Sequence, residues 1–170
     1  MAEPPCAVRP ATESDVPAVT AIYNHAVEHT TATWDTAPVS VLDRSAWLAD
    51  RRTGGWPVLV ATDAAGSDDV LGFGTFGPFR PKAGYALTVE HSVYVRADTR
   101  GRGVGSALLR ELVHTARAAG LHAMVAGVDA ANAAAVAFHV RHGFAPAGTL
   151  PEVGRKFGRW LDLELLVLRL

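Results

Sequence analysis

The segment Arg100-Gly101-Arg102-Gly103-Val104-Gly105-Ser106 limits what this chain can fold into more than any other stretch. It follows a strand-like run, Thr88 to Val95, in which Val89, His91, Val93 and Val95 alternate with Thr88, Glu90, Ser92 and Tyr94. It precedes an amphipathic helix reaching about Ala119, with Leu108, Leu112 and Ala116 at i, i+4 and i+8 and Gly120 placed to end it. Glycines between a strand and a helix let the backbone approach a ligand closely, and the first helical turn offers N–H groups with no acceptor inside the helix. The helix dipole adds partial positive charge there, so a pyrophosphate is the natural occupant. A turn that merely caps the helix is the other reading. Two nucleotide motifs fail. A P-loop needs Lys and then Ser or Thr after its last glycine, whereas Gly105 is followed by Ser106-Ala107. A dinucleotide fingerprint needs G-x-G-x-x-G/A, and its last position falls on Ser106 when counted from Gly101 and on Leu108 when counted from Gly103.

Charge agrees with a local anion site. Arg96, Arg100, Arg102 and Arg110 face one acid in their window, Asp98. The whole chain carries a formal charge of -1, so it has no global field to hold nucleic acid or an anionic membrane. Its 170 residues suit one domain over 1–170, without repeats, low-complexity tracts or a long linker. No run approaches the ~20 apolar residues that cross a bilayer, and Met1 to Pro10 lacks a basic patch followed by an apolar run, so a cytoplasmic home is expected. Cys6 is the only cysteine, which excludes an internal disulfide, and it is expected as a surface thiol near the terminus. The seven histidines show no metal-site spacing, and no metal is expected.

Around the loop, the pattern predicts an α/β sandwich with a largely antiparallel start. A strand at Ala7 to Arg9 is followed by a helix opened by Thr12 and Asp15 and running to about Glu28. Ser40 and Asp43 repeat the capping signal before a helix over Val41 to Arg52, ended by Gly54 and Gly55. Pro57 to Thr62 and Val70 to Phe76 read as strands joined by a turn, Ala65-Gly66-Ser67-Asp68-Asp69. Gly77 to Gly84 reads as a loop, Ala123 to Val128 as a strand, and Asn132 to Arg141 as a helix stopped by Gly143. Strand-like segments lie around Phe144 and from Trp160 to Leu170.

Arg100, Gly103 and Gly105 match R/Q-x-x-G-x-G/A, which resembles the pyrophosphate loop of GNAT acetyltransferases. Asn132, with Phe138-His139-Val140-Arg141-His142-Gly143-Phe144, resembles the second half of that family's signature. The layout from Arg9 to Leu170 is similar to the phosphinothricin and methionine sulfoximine acetyltransferase branch. The residues carrying this are Asn24-His25, Gly77-Pro78-Phe79-Arg80, Thr88-Val89-Glu90-His91-Ser92-Val93-Tyr94-Val95 and Gly154 to Asp162. The resemblance implies the GNAT fold, a central mixed and mostly antiparallel sheet flanked by helices on both faces. It implies acetyl-CoA as donor, a small-molecule amine as acceptor and a homodimer. Ala86-Leu87 departs from the branch, whose members typically carry a polar residue and then tryptophan there.

An ammonium must lose a proton before it can attack a thioester, and a carboxylate in a charge-poor strand can take it. Read alone, Glu90 is better explained as an exposed acid; the resemblance reverses that order and makes it the general base. By the same resemblance His139 occupies the place of a general acid, with a helix-face packing role left open beside it. The backbone of Val93, Tyr94 and Val95 would stabilise an oxyanion and pair with pantetheine. Arg100, Gly101, Arg102, Gly103, Val104, Gly105, Ser106 and Asn132 complete the expected cofactor contacts. For an amino-acid-like acceptor, Arg80 and Lys82 offer cations with Tyr85 close by in sequence, and Trp34 and Phe79 an apolar wall, with solvated loop cations and a core tryptophan as the alternative. His91 and His142 read as packing and helix-end residues. Three rivals remain open: acetylation of another amine such as a polyamine, antibiotic or protein N-terminus, a non-catalytic acyl-CoA sensor, and a dinucleotide oxidoreductase.

Overall fold

A computed structural model of the chain describes residues 6–63 and 68–170. Seven strands form one sheet in the order β1-β2-β3-β4-β5-β7-β6. They are β1 (Ala7–Pro10), β2 (Val58–Thr62), β3 (Val70–Pro78), β4 (Thr88–Val95), β5 (Ala123–Asp129), β6 (Ala145–Lys156) and β7 (Arg159–Arg169). Strands β4 and β5 pair in parallel and the other five neighbours pair antiparallel, the mixed sheet expected of this sequence. Most of the expected β2–β3 turn, Ala65-Gly66-Ser67, lies outside the described residues.

Four helices cover the sheet: α1 (Val16–His29), α2 (Val41–Thr53), α3 (Val104–Ala118) and α4 (Ala133–Arg141). Leu108, Leu109 and Leu112 of α3 and Val136 and Phe138 of α4 pack on one face. Val19, Ile22 and Tyr23 of α1 and Leu48 of α2 pack on the other. Both capping signals are present. Asp15 accepts from the Thr12 N–H at 2.7 Å, while Ser40 and Asp43 exchange main-chain bonds at 3.1 Å each.

Three features differ from the sequence reading. Cys6 is 2% exposed and belongs to the core on the α3 face, so it is no surface thiol. Strand β3 continues to Pro78, and a 3-10 turn, Ala83–Tyr85, interrupts the expected loop. The third difference is β6, an edge strand that runs 12 residues where only a short segment near Phe144 was legible. Pro146, Gly148, Pro151 and Gly154 hide its alternation, and the register with β7 shifts twice, between Pro146 and Gly148 and between Leu150 and Gly154. Asp162 steadies the second irregularity, accepting from the Glu152 N–H at 2.8 Å. Phe157 and Gly158 close the hairpin with φ of 50° and 76°, the left-handed pair of a type I′ turn.

The hairpin is fastened to the connection between α1 and α2. Lys156 is buried, and its ammonium donates to the Thr33 carbonyl at 2.6 Å. Beside it the Trp34 ring lies on the backbone of Gly154, where a Cβ would meet the ring's Cδ2 at 2.9 Å and two further ring atoms closer still. Packing explains both residues. Overpacking of such a contact costs about 1–3 kcal/mol. Gly154→Val should therefore lower the melting midpoint by several degrees, read by circular dichroism, and an unchanged midpoint would show that Trp34 has room to move aside.

Candidate active site

Strands β4 and β5 are paired only over Thr88–Ala123, Val89–Met124 and Glu90–Val125, after which they part. Beyond that point β4 stays paired with β3, and β5 with β7. Which main-chain groups face the gap follows from alternation in an antiparallel ladder. The bonds Phe79 N–H to Thr88 O and Arg96 N–H to Leu71 O fix the even-numbered residues of β4 as those bonded to β3. Val93 and Val95 consequently turn their N–H and C=O towards the gap. Tyr94 does not: its main chain faces β3 and its ring stacks on Phe73 at 5.1 Å, so only its two neighbours fit the expected backbone role. On β5, Ala130 N–H to Asp162 O places even-numbered residues against β7. Gly127 is left as the first β5 residue whose main chain faces the opening.

The glycine loop lies at the wide end of this gap. Gly103 is the N-cap of α3 at φ 84°, in the left-handed region that a side chain disfavours. Thr99 pins the loop from beneath, its buried hydroxyl donating to the Arg96 carbonyl at 3.0 Å and lying 3.2 Å from the Leu71 carbonyl. Val104 sends its side chain into the core, so it offers a ligand only its N–H. With Gly105 and Ser106 it forms a first turn of free donors. Arg100 and Arg102 are exposed and make no ion pair among the described residues. Arg96 is committed elsewhere, bound to Asp69 and Asp98 at 2.7 Å each. A Cβ on Gly105 would make ordinary contacts 3.5 Å from Val95 and 3.6 Å from the Phe138 ring, so the loop, the end of β4 and α4 meet at this residue. The loop thus fits a diphosphate, and the gap fits an extended chain of amides. Asn132 caps α4, accepting from Ala135 N–H at 3.0 Å, which leaves its amide nitrogen for a ligand.

Glu90 is the last residue of β4 paired with β5, and it sits on the face opposite His91, as the alternation predicts. Its side chain is exposed, yet partial desolvation of the carboxyl raises its pKa above the usual carboxylate range. Arg80 opposes that rise weakly. Arg80 lies with its guanidinium 4.9 Å from the Phe79 ring, and Phe79 meets Tyr85 edge-on at 5.8 Å, so these three form one cluster. Lys82 is exposed beside them. Trp34 is away from that cluster, on the β6 hairpin.

His139 and His91 lie on the other face of the sheet. His139 Nδ1 is 2.7 Å from the Ala135 carbonyl, and since a carbonyl only accepts, Nδ1 carries the proton. Burial lowers its pKa, so the ring is neutral near pH 7 with a lone pair at Nε2. His91 is 6% exposed, packed against His139 and Phe144 at 5.1 and 5.4 Å, with neither ring nitrogen bonded to a protein group. Desolvation, with smaller contributions from His139 and His142, pushes its pKa down to about 3.

The comparisons agree with this geometry. The model of the Acetyltransferase (GNAT) family matches residues 19–144. The chain belongs to this family. A curated relative from Pseudomonas aeruginosa, an L-methionine sulfoximine/L-methionine sulfone acetyltransferase, is 51% identical over 96% of this chain and 94% of its own length. A phosphinothricin N-acetyltransferase from Streptomyces coelicolor is 43% identical over 92% and 91%. Among solved structures, a putative acetyltransferase from Salmonella typhimurium with its cofactor acetyl-CoA superposes with a TM-score of 0.91 at 43% identity, covering 97% of this chain and 94% of that one. For this GNAT protein, no helix among the described residues is long and apolar enough to cross a membrane.

Sequence reasoning missed one residue on the Glu90 face, Arg51. Two arginines ending a helix read as dipole partners. The usable signal was Gly77 inside a strand, a mark of another group's close approach.

The buried histidine has a measurable consequence. Between about 3 and 6.5, the unfolded chain protonates His91 while the folded one does not, so stability rises with pH across that window and levels above it. His139 and His142, also lowered, act in the same sense. His91→Phe should flatten the rise, measured as urea midpoints at pH 5 and 7.5; an equal slope in both proteins would remove His91 as its source.

Proposed function

We propose that this chain transfers the acetyl group of acetyl-CoA directly to the amine of a small amino-acid-like acceptor, of the methionine sulfoximine or phosphinothricin type, within a ternary complex. The observation that carries the reading is the placement of Glu90, a carboxylate whose pKa is raised, where two strands part and leave main-chain donors unpaired. Acetyl-CoA, when bound, supplies an acyl group activated as a thioester. The N–H groups of Gly103, Val104, Gly105 and Ser106 hold its diphosphate, with the charges of Arg100 and Arg102 and the flanking turn at Gly101. Main-chain groups of Val95 and Gly127, and the Asn132 amide, pair with the pantetheine arm. The Val93 N–H is directed at the acyl oxygen, where charge develops as the new bond forms.

Glu90 removes a proton from the acceptor's ammonium, the freed lone pair forms the N–C bond as the C–S bond breaks, and the second proton lost from nitrogen passes to the leaving thiolate to give the thiol. Its raised pKa makes it a better base than an ordinary carboxylate. His139 has the position of a general acid. In its neutral form, however, it offers only a lone pair at Nε2, so we assign it to hold the product thiol, with proton donation confined to low pH. Arg80, Lys82 and Tyr85 face the acceptor's variable end with Phe79 as its apolar wall, while Trp34 serves the packing of the hairpin. A single domain over 1–170, a cytoplasmic location and a homodimer complete the reading. Leu150 and Val153 of β6, Phe157 of the hairpin turn and Trp160 of β7, all exposed, support the dimer.

Three measurements test it. Thiol release with acetyl-CoA should occur with L-methionine sulfone, L-methionine sulfoximine or phosphinothricin at kcat/KM well above that for spermidine or an alanine-ended peptide; the reverse order would overturn the acceptor class. Glu90→Gln should keep acetyl-CoA affinity and lower kcat by about 10²-fold or more. The wild-type acid limb, which falls as pH drops through the raised Glu90 pKa, should vanish with it. A persisting acid limb would remove Glu90 from the base role. Gly103→Val forces a side chain into a left-handed conformation costing about 1–2 kcal/mol. It should weaken acetyl-CoA binding roughly tenfold in calorimetry, and retained affinity would refute the cradle.

A further inference from the structure

Arg51, in the last turn of α2, has no acid to pair with among the described residues. Its guanidinium lies over Gly77. A Cβ there would come within 3.2 Å of Cζ and closer still to Nη1, so this residue must be glycine for the arginine to lie where it does. Nη1 donates to the Phe76 carbonyl at 3.3 Å, and the Trp47 ring, 5.6 Å from the guanidinium, backs it. Gly77 is the direct partner of Glu90 across β3 and β4. Directly opposed residues in an antiparallel pair project to the same face, with Cβ positions about 4.5–5.5 Å apart. The Glu90 carboxyl turns the other way, towards β5, where its Oε1 is 3.1 Å from the position of a Cβ on Gly127. A half-buried cation and a carboxylate thus stand on one face, across the width of two strands, pointing apart.

That separation suits an α-amino acid. Its ammonium and carboxylate sit on one carbon, so an amine held by Glu90 leaves a carboxylate facing β3. We propose that Arg51 is the carboxylate anchor of the acceptor site: the acceptor's amine meets Glu90 and its α-carboxylate meets Arg51 over Gly77. The proposal rests on the amino-acid reading of the acceptor above. Desolvation is the one influence on the Arg51 guanidinium, lowering its pKa with no acid to offset it, and a bound carboxylate would supply that offset. Arg80 differs in kind. It is exposed on the segment after β3, next to the mouth, and suits the end of the acceptor that varies. The rigid, half-buried arginine suits the group that all α-amino acids share, where a fixed fork loses little freedom on binding.

The test compares L-methionine sulfone with its primary carboxamide, which keeps the amine and side chain and loses the charge. Arg51→Met keeps an apolar stem against Trp47, and Arg51→Lys keeps the charge without the fork. Wild type should prefer the acid. Arg51→Met should raise the KM for the acid by about 10- to 100-fold, the range of a charge-assisted pair, while the KM for the carboxamide and the calorimetric affinity for acetyl-CoA stay within about threefold. Arg51→Lys should recover part of the preference. A packing role would weaken acid and carboxamide alike, and that result would overturn the assignment, as would an unchanged acid preference in Arg51→Met. Wild type that acetylates both equally leaves acetyl transfer standing and removes the carboxylate site. Wild type inert towards every amino-acid acceptor removes the underlying reading with it.

Discussion

Everything at this site depends on hydrogen bonds that β4 and β5 do not make. Parallel strands that run side by side satisfy each other, whereas these two separate after Glu90–Val125 and leave the main chains of Val93, Val95 and Gly127 facing a gap. Peptide groups taken from water without partners cost about 1–3 kcal/mol each, and here Val93 and Val95 are partly buried while Gly127 is exposed. Such an opening therefore persists only where packing holds it and where water or a ligand supplies the missing partners. The core beneath supplies the hold: Val104, Leu108 and Leu112 of α3 fasten β3 and β4, and Met124, Ala126 and Leu166 fasten the β5–β7 half. An extended diamide entering the gap finds donors and acceptors already aligned, so little freedom is lost on binding.

The sheet also divides the proton chemistry. Glu90 projects to the α1 and α2 face, while His91 and His139 project to the α3 and α4 face. Burial acts oppositely on the two kinds of group: it raises the carboxyl and lowers the imidazoles, in each case favouring the neutral form. The site consequently holds one carboxylate made a stronger base and two imidazoles made weaker ones. Nδ1 of His139 is already committed to Ala135, which leaves Nε2 as an acceptor until the ring gains a second proton.

Much of this was legible because the chemistry is local. Thr12 with Asp15 and Ser40 with Asp43 state helix starts in four residues, and both open helices as read. The alternation in Thr88 to Val95 placed Glu90 and His91 on opposite faces, since period two admits no other outcome. What escaped notice depends on partners distant in sequence. Strand β6 is built by pairing with β7 against its own prolines and glycines. Cys6 is buried because β1 lies over α3, which a short terminal segment cannot announce. Arg51 looks like a helix-end charge until Gly77, 26 positions later in the chain, is seen beneath it. Tyr94 was grouped with its neighbours because a sequence does not reveal which edge of a strand is already taken.

The same distinction separates the donor from the acceptor. Donor recognition runs through peptide groups and one left-handed glycine, so it tolerates change at most side chains and is announced by a short motif. In the proposed reading, acceptor recognition runs through side chains on the margins of the fold, such as Arg80 and Tyr85 beside the β3–β4 connection. Leu87 shows how loosely the sequence binds those margins. Its carbonyl accepts from His122 and Ala123 and so starts the β4–β5 pairing, a duty any residue can perform, while its side chain is 57% exposed. A tryptophan can be replaced there without disturbing the sheet, and the cost falls only on whatever touches the mouth. Donor identity is thus fixed by the part of the structure that cannot change without losing the fold, and acceptor identity by the part that can.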